Sequence, residues 1–244
     1  MEQVYDNSFK LVKFNLATNH IEEAYRFDGV LSNKSYINDV RVDTQRKVAY
    51  LTNSNEGGIV VVDLNSGIAR QLLHNHYSVK HDPSFTLVVD GKEFKKNGQP
   101  VRLQSDGIAL TPDREWLYYK PLTDNKLYRI KTAYLRDEEL SEQQLEANVE
   151  DLGRFVVTDG MIFDTNGNLY MGDYQNYSIV QINPALEMKT LVSEERLIWP
   201  DSYSISPDGY LYISCSQINK QPDYNEGENK RVSPYTIYKM PLPA

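Results

Sequence analysis

Four polar residues occupy the same place in a phrase that this sequence repeats. Each copy opens on Asn or Asp, continues into an apolar segment, turns, and ends in a second apolar segment. The copies begin at Asn38, Asp106, Asp159 and Asp201, which we call the lead residues. Three carboxylates and one amide oxygen are hard ligands, which suit Ca²⁺ or Mg²⁺ better than a softer metal. Because crowded carboxylates share protons or recruit a cation, we expect a polar site wherever folding brings the lead residues together.

Each lead residue also has a simpler explanation when it is taken alone. An Asn or Asp at the start of a strand can cap a turn and accept hydrogen bonds from backbone N–H groups. The regular spacing favours a shared role. A tyrosine follows Asn38 and Asp106 after twelve residues, and follows Asp159 and Asp201 after eleven, where the turn is one residue shorter.

The elements that must position the lead residues are clearest between residues 35 and 74. Apolar runs separated by turns rich in Asn, Asp, Gly and Ser predict four strands, at 39–43, 47–53, 58–64 and 68–73. Four antiparallel strands in about 40 residues are the size of one β-propeller blade. A lead residue at the start of the innermost strand of each blade would point toward the ring axis, at one mouth of the tunnel.

We therefore predict an all-β fold, a single six-bladed β-propeller domain spanning residues 1–244 and incomplete at its N-terminus. Blades are expected at 35–76, 104–148, 150–195 and 196–244, with a partial blade at 1–34 and an inserted hairpin at 77–103. The opening hairpin, residues 9–27, has no lead residue before it, so the chain is expected to begin inside a blade. Ser141 is expected to cap a short surface helix.

Composition excludes several classes of partner. The 34 acidic and 26 basic side chains give a net charge of −8, with no run rich in Lys and Arg, which argues against nucleic acid and anionic membranes. No run of about 18 apolar residues predicts a transmembrane helix. Cys215 is the only cysteine, so neither an intramolecular disulfide nor a thiolate metal cluster is possible.

The amino-acid sequence of the repeats resembles that of the yellow/major royal jelly protein family, in its bacterial branch. The phrases that carry the resemblance are SYINDVRVD (35–43), GGIVVVDLNSG (57–67), LHNHYSV (73–79), SDGIAL (105–110), LYRIKTAYLRDEELSEQQL (127–145), TDGMIFDTNGNLYMGD (158–173) and WPDSYSISPDGYLYIS (199–214). The resemblance implies a six-bladed propeller and an extracellular or periplasmic location. It also implies further residues before the position of Met1, in agreement with the incomplete first blade.

The lead residues are more distantly similar to those of gluconolactonase/regucalcin propellers, which hold a divalent cation in the axial tunnel. That resemblance implies that Asp159 is a metal ligand and general base, that Asp106 is a second metal ligand, and that Asn38 contacts the substrate. Asp106 stands where that family has Asn, and the Glu that completes its cation shell has no counterpart in this chain.

Two function classes follow for the axial mouth. The first is binding of a small molecule by Asn38 and Asp201, with Trp199 and Tyr203 as an aromatic wall; an equal alternative is that Trp199 packs between blades. The second is a lactonase or esterase that depends on Ca²⁺ or Mg²⁺, with Asp159 as the base toward water. A scaffold or storage role without any site is a third possibility.

Overall fold

A computed structural model describes residues 8–27 and 29–243, and its sheets are arranged as in a β-propeller. The described chain opens with a hairpin of β1 (Lys10–Asn15) and β2 (His20–Arg26), which pair antiparallel as predicted. The part of the predicted partial blade before residue 8 lies outside the described residues. None of the described helices is long and apolar enough to cross a membrane.

The first complete blade contains four antiparallel strands in sequence order. They are β3 (Ile37–Asp43), β4 (Val48–Asn53), β5 (Ile59–Asp63) and β6 (Ala69–Leu72). All four lie within two residues of the predicted strands. The apolar residues of β4 and β5 are buried because both faces of the blade are covered by neighbouring strands.

The connection to the second blade carries the predicted insertion. It contains a 3₁₀ turn at Tyr77–Val79 and two very short hairpins where one inserted hairpin was predicted. Their strands are β7 (Val88–Val89), β8 (Lys92–Glu93), β9 (Lys95–Lys96) and β10 (Gln99–Pro100). The two hairpins turn at Asp90-Gly91 and Asn97-Gly98, where Asp90 and Asn97 both have positive φ.

Three further sheets follow the insertion. The second blade contains β11 (Ser105–Leu110), β12 (Trp116–Pro121), β13 (Lys126–Lys131) and β14 (Glu150–Arg154); the third contains β15 (Met161–Phe163), β16 (Leu169–Asp173), β17 (Ser178–Ile182) and β18 (Met188–Ser193). The fourth contains β19 (Pro200–Ile205), β20 (Tyr210–Cys215) and β21 (Ile237–Pro241), with 3₁₀ turns at Ile218–Lys220 and Pro222–Tyr224 between the last two strands. Helices α1 (Thr132–Arg136) and α2 (Glu142–Glu146) lie between β13 and β14.

The described residues thus hold four blades, and the predicted total of six stays a prediction. The fourth blade has three strands among the described residues. The predicted surface helix is confirmed as α2, since Ser141 and Gln144 form a reciprocal capping box at its start.

Each inner strand is irregular where it carries its lead residue. In the second blade Ser105 pairs with Pro121 and Ile108 pairs with Tyr119, so Asp106 and Gly107 together oppose the single residue Lys120. Two residues opposite one define a β-bulge, which bends the strand and redirects its side chains.

The first and fourth blades have the same register shift. Asn38 and Asp39 oppose Thr52 in the first blade, and Asp201 and Ser202 oppose Ser214 in the fourth. In the third blade Asp159 and Gly160 directly precede β15, whose first residue pairs with Met171. Every lead residue therefore lies at an irregular strand start, at the same end of its blade, which we call the lead end.

Two insertions meet at the lead end. We define the cap as residues 85–103, from the connection between the first two blades, and residues 217–232, from the fourth blade. Phe94 stacks on Tyr224 with ring centroids 4.6 Å apart, and the Lys96 ammonium lies 3.3 Å from an Asp223 carboxylate oxygen. Lys220 and Asn219 both donate to the Asp90 carboxylate, at 2.8 and 3.0 Å. The two parts of the cap therefore hold each other in place.

Candidate functional site

Neighbouring lead residues touch through their backbones. The N–H of Gly160 donates to the carbonyl oxygen of Asp201 at 3.0 Å. A Cβ placed on Gly160 would clash with that carbonyl, and one placed on Gly107 would clash with the carbonyl of Asp159. Glycine after the lead residue therefore allows adjacent inner strands to approach closely, which brings Asp106, Asp159 and Asp201 around one axis.

The first two lead residues are joined directly by their side chains. The Asn38 amide Nδ2 donates to Asp106 Oδ1 at 2.6 Å, which links the first blade to the second. Thr52, opposite the first bulge, donates from its hydroxyl to the Asp106 carbonyl at 2.8 Å. Asp106 is 2 % exposed, whereas Asn38 is exposed, so this pair extends from the interior to an accessible edge.

Asp159 is held by the tryptophan that precedes the next copy of the phrase. The indole Nε1 of Trp199 donates to Asp159 Oδ2 at 2.6 Å. Trp199 is fully buried, and its ring stacks on Tyr174 with centroids 4.0 Å apart and a 7° angle between planes. Phe94 of the cap covers it at 5.2 Å. Trp199 thus packs between the third and fourth blades and also contacts the carboxylate of a lead residue.

The remaining two predicted site residues lie on β19. Asp201 is partly exposed, and one of its carboxylate oxygens accepts from the Ser202 hydroxyl at 2.9 Å. Tyr203 reaches over Gly172 of the third blade, where a Cβ would clash with its hydroxyl. That hydroxyl is buried and has no hydrogen-bond partner among the described residues. Buried hydroxyls are normally paired, so this one is available to a further group.

Burial and mutual repulsion change the acidity of the lead residues. Burial raises the pKa of Asp159 well above its usual range, and the nearby charges of Asp106 and Asp201 raise it further. Burial also raises the pKa of Asp106 to about 6, although the polar side chains of Ser54 and Asn38 oppose the shift. With a pKa of about 6, Asp106 can exchange its proton close to neutral pH.

Two residues of the first blade, Asp39 and Arg41, join the site without having been predicted. Asp39 follows Asn38 in the same bulge, and its pKa is raised by burial, with the charge of Asp201 acting in the same direction. Arg41 crosses to the third blade, where its Nη2 donates to the carbonyl of Met161 at 2.8 Å; the same nitrogen lies 3.7 Å from Asp39. The signal for Asp39 was present in the sequence, because only the first copy places a carboxylate directly after its lead residue.

Lys120 was also missed, since nothing in the apolar run WLYYKP predicts its place. It is fully buried, and its ammonium donates to the carbonyl oxygens of Pro121 and Asp124 at 2.8 and 2.6 Å. Burial lowers the pKa of Lys120 to about 8, while the negative charges of Asp124, Asp106 and Asp159 act in the opposite direction.

The predicted metal ligands Asp106 and Asp159 do not present the donor set of a divalent cation site. Among the described residues, no group of three or more His, Cys, Asp or Glu side chains could hold a metal ion. Asp106 and Asp159 each accept an N–H from Asn38 or Trp199 on one oxygen, whereas Ca²⁺ takes six to eight oxygen ligands. The described residues therefore do not fit the predicted cation, and its presence stays a prediction.

Comparison with protein families gives one match over nearly the whole chain. The family model described as Major royal jelly protein matches residues 2–239. Among curated relatives, Major royal jelly protein 3 of Apis mellifera is 27% identical over 146 residues, which cover 58% of this chain and 25% of that protein. Major royal jelly protein 7 of the same species is 25% identical over 140 residues, covering 57% of this chain and 30% of that protein. The chain thus matches only a quarter to a third of the length of these relatives.

Solved structures of low sequence identity share the fold. A streptogramin B lyase superposes with a TM-score of 0.54 at 10% identity, covering 96% of this chain and 62% of that one. A luciferin-regenerating enzyme gives a TM-score of 0.53 at 13% identity, covering 91% of this chain and 66% of that one. At these identities the similarity concerns the propeller fold alone.

Proposed function

The chain belongs to the major royal jelly protein family, and on that premise we propose that it binds a small organic molecule at the lead end of its tunnel. The observation that carries the proposal is that polar side chains of different blades are hydrogen-bonded to each other, as Asn38 is to Asp106 at 2.6 Å. Residues that only cap turns would make their hydrogen bonds within their own blades.

The unpaired hydroxyl of Tyr203 supports the same site. It is buried near lead residues that hold several acceptor oxygens, and a ligand or water would satisfy it. Asn38 is exposed and Asp201 and Tyr203 are partly exposed, whereas the cap covers Trp199 and Asp159. A ligand would therefore meet Asn38 and Asp201 first and reach the buried hydroxyl of Tyr203 and the buried carboxylates behind them.

Titration calorimetry of the protein against small aromatic amines and sugar lactones tests the proposal. We expect saturable binding to at least one class, and at least a tenfold loss of affinity in Asn38→Ala, which removes an amide, and in Asp159→Asn, which replaces an acceptor oxygen by an NH₂ donor. Glu195→Gln, which neutralises an exposed carboxylate outside the site, is the matched control. Binding that survives both changes of lead residues, or no binding to any of these compounds, would remove the axial site.

Lactone hydrolysis is the second candidate, and one observation favours it. The raised pKa of Asp159 makes its carboxylate a stronger base than an ordinary aspartate, as a general base requires. A sugar lactone incubated with the wild type, with Asp159→Asn and with a chelator would test both the base and the predicted cation. Hydrolysis no faster than the buffer blank, or equal in Asp159→Asn, contradicts this candidate.

A further inference from the structure

Lys120 is a charged residue at a position where the first and fourth blades have an uncharged one. It is the residue opposite the Asp106–Gly107 bulge, where the first blade has Thr52 and the fourth has Ser214. Thr52 and Ser214 accept the N–H of the residue after the lead residue, at 3.2 Å in both cases. The second blade therefore places an ammonium where these blades place a hydroxyl.

The side chain of Lys120 has no route to solvent. Among the described residues it is the one lysine or arginine that is buried, and it is fully so. Its ammonium donates to the carbonyl oxygens of Pro121 and Asp124, and these two bonds use two of its three N–H groups. A buried charge is costly unless it is hydrogen-bonded and opposite charges are near. The two carbonyl oxygens bind the ammonium directly, and the carboxylates of Asp124, Asp106, Asp159 and Asp173 act on it at longer range.

We infer that Lys120 is the resident counter-cation of the carboxylates of the lead residues and determines that the tunnel excludes a divalent metal ion. This inference concerns the same site as the proposed function and names what the site rejects. The buried ammonium, carried by the residue opposite the Asp106–Gly107 bulge, supplies positive charge that a metal would otherwise bring, and it repels a second cation. The N–H donors of Asn38 and Trp199 occupy further oxygen positions on the same two carboxylates.

Metal binding by Lys120 variants tests the inference without any organic ligand, so its failure is distinguishable from failure of the proposed function. Lys120→Thr introduces the residue that the first blade has at this place, and Lys120→Arg keeps the charge. Lys189→Thr, on the exposed outer strand β18, is the control for loss of a lysine. Each protein is titrated with CaCl₂ by calorimetry, and with Tb³⁺ by luminescence sensitised through Trp199, which contacts Asp159.

We expect no saturable Ca²⁺ binding by the wild type, Lys120→Arg or Lys189→Thr. Lys120→Thr should gain saturable binding that weakens at least tenfold when Asp159→Asn is added. If Lys120→Thr folds only when Ca²⁺ is present, as seen by circular dichroism, the inference is supported in the same way.

Two results would overturn the inference. The first is saturable Ca²⁺ binding by the wild type that Asp159→Asn abolishes. The second is a Lys120→Thr protein, folded or unfolded, that Ca²⁺ affects no more than it affects the wild type.

Discussion

At the scale of single residues, the chemistry of the site depends on which groups donate hydrogen bonds to each buried carboxyl group. Asp159 accepts from the Trp199 indole and Asp106 from the Asn38 amide, so each is paired across a blade boundary. These pairs do not remove the cost of burial, since the pKa of both carboxyl groups remains raised. The lead end is therefore a place where the fold loses stability and gains polar groups that can interact with a ligand.

The raised pKa of Asp106 predicts a pH dependence of the free energy of unfolding. Because its folded pKa, about 6, exceeds its ordinary value of 3.8, its protonation favours folding. That contribution is fully present below pH 3.8 and is lost as the pH rises through about 6. Asp106→Asn should abolish this loss and make the protein more stable than the wild type at pH 8, by up to about 3 kcal/mol.

Urea unfolding of the wild type and Asp106→Asn between pH 4 and pH 8 measures this difference. Glu195→Gln, which neutralises an exposed carboxylate, should follow the wild type at every pH. A difference between Asp106→Asn and the wild type that does not change with pH would contradict the assignment.

At the scale of secondary-structure elements, the bulges in the inner strands explain how the repeated sequence motif of several blades forms a single site. A regular strand alternates its side chains between two faces, so two consecutive residues could not both face the tunnel. The bulges at Asn38-Asp39 and Asp201-Ser202 relax that rule. Gly107 and Gly160, each directly after a lead residue, then allow adjacent inner strands to touch.

Gly160→Ala should destabilise the protein because the new methyl group would clash with the carbonyl of Asp201. We expect a loss of about 1–3 kcal/mol in the free energy of unfolding, the usual cost of overpacking. Ser202→Ala is the control, because it changes the equivalent position in the fourth blade, which is exposed. Equal unfolding midpoints for Gly160→Ala and the wild type would show that the inner strands are not in close contact.

At the scale of the whole molecule, the blades bring the lead residues to one end of the fold, and two insertions cover part of that end. Phe94 and Tyr224 are 130 residues apart in the sequence, yet Tyr224 stacks on Phe94, which in turn packs against Trp199. This apolar cluster also includes Leu122 and Val157, so the cap belongs to the core and is not a loose surface ribbon. Access to the lead residues is therefore restricted on the capped side.

Phe94→Ala should loosen the cap and expose Trp199. We expect its indole fluorescence to shift to longer wavelength and acrylamide quenching to increase severalfold, since Trp199 is now fully buried. Phe14→Ala removes a phenyl ring that is 47% exposed on the opening hairpin, and should leave the quenching unchanged. A Phe94→Ala protein that quenches like the wild type would mean that the cap does not protect the tunnel.

The sequence by itself determined the local structure of this protein, because strands and turns depend on residues that are near each other in the chain. It predicted the strands of the first blade, the opening hairpin, the cap of α2 at Ser141 and the repeated position of the lead residues. Only the tertiary structure decided which side chains meet. The contact of Trp199 with Asp159, the burial of Lys120 and the reach of Arg41 to Met161 depend on bulge geometry and on contacts between distant blades. Such contacts cannot be predicted from the spacing of residues along the chain.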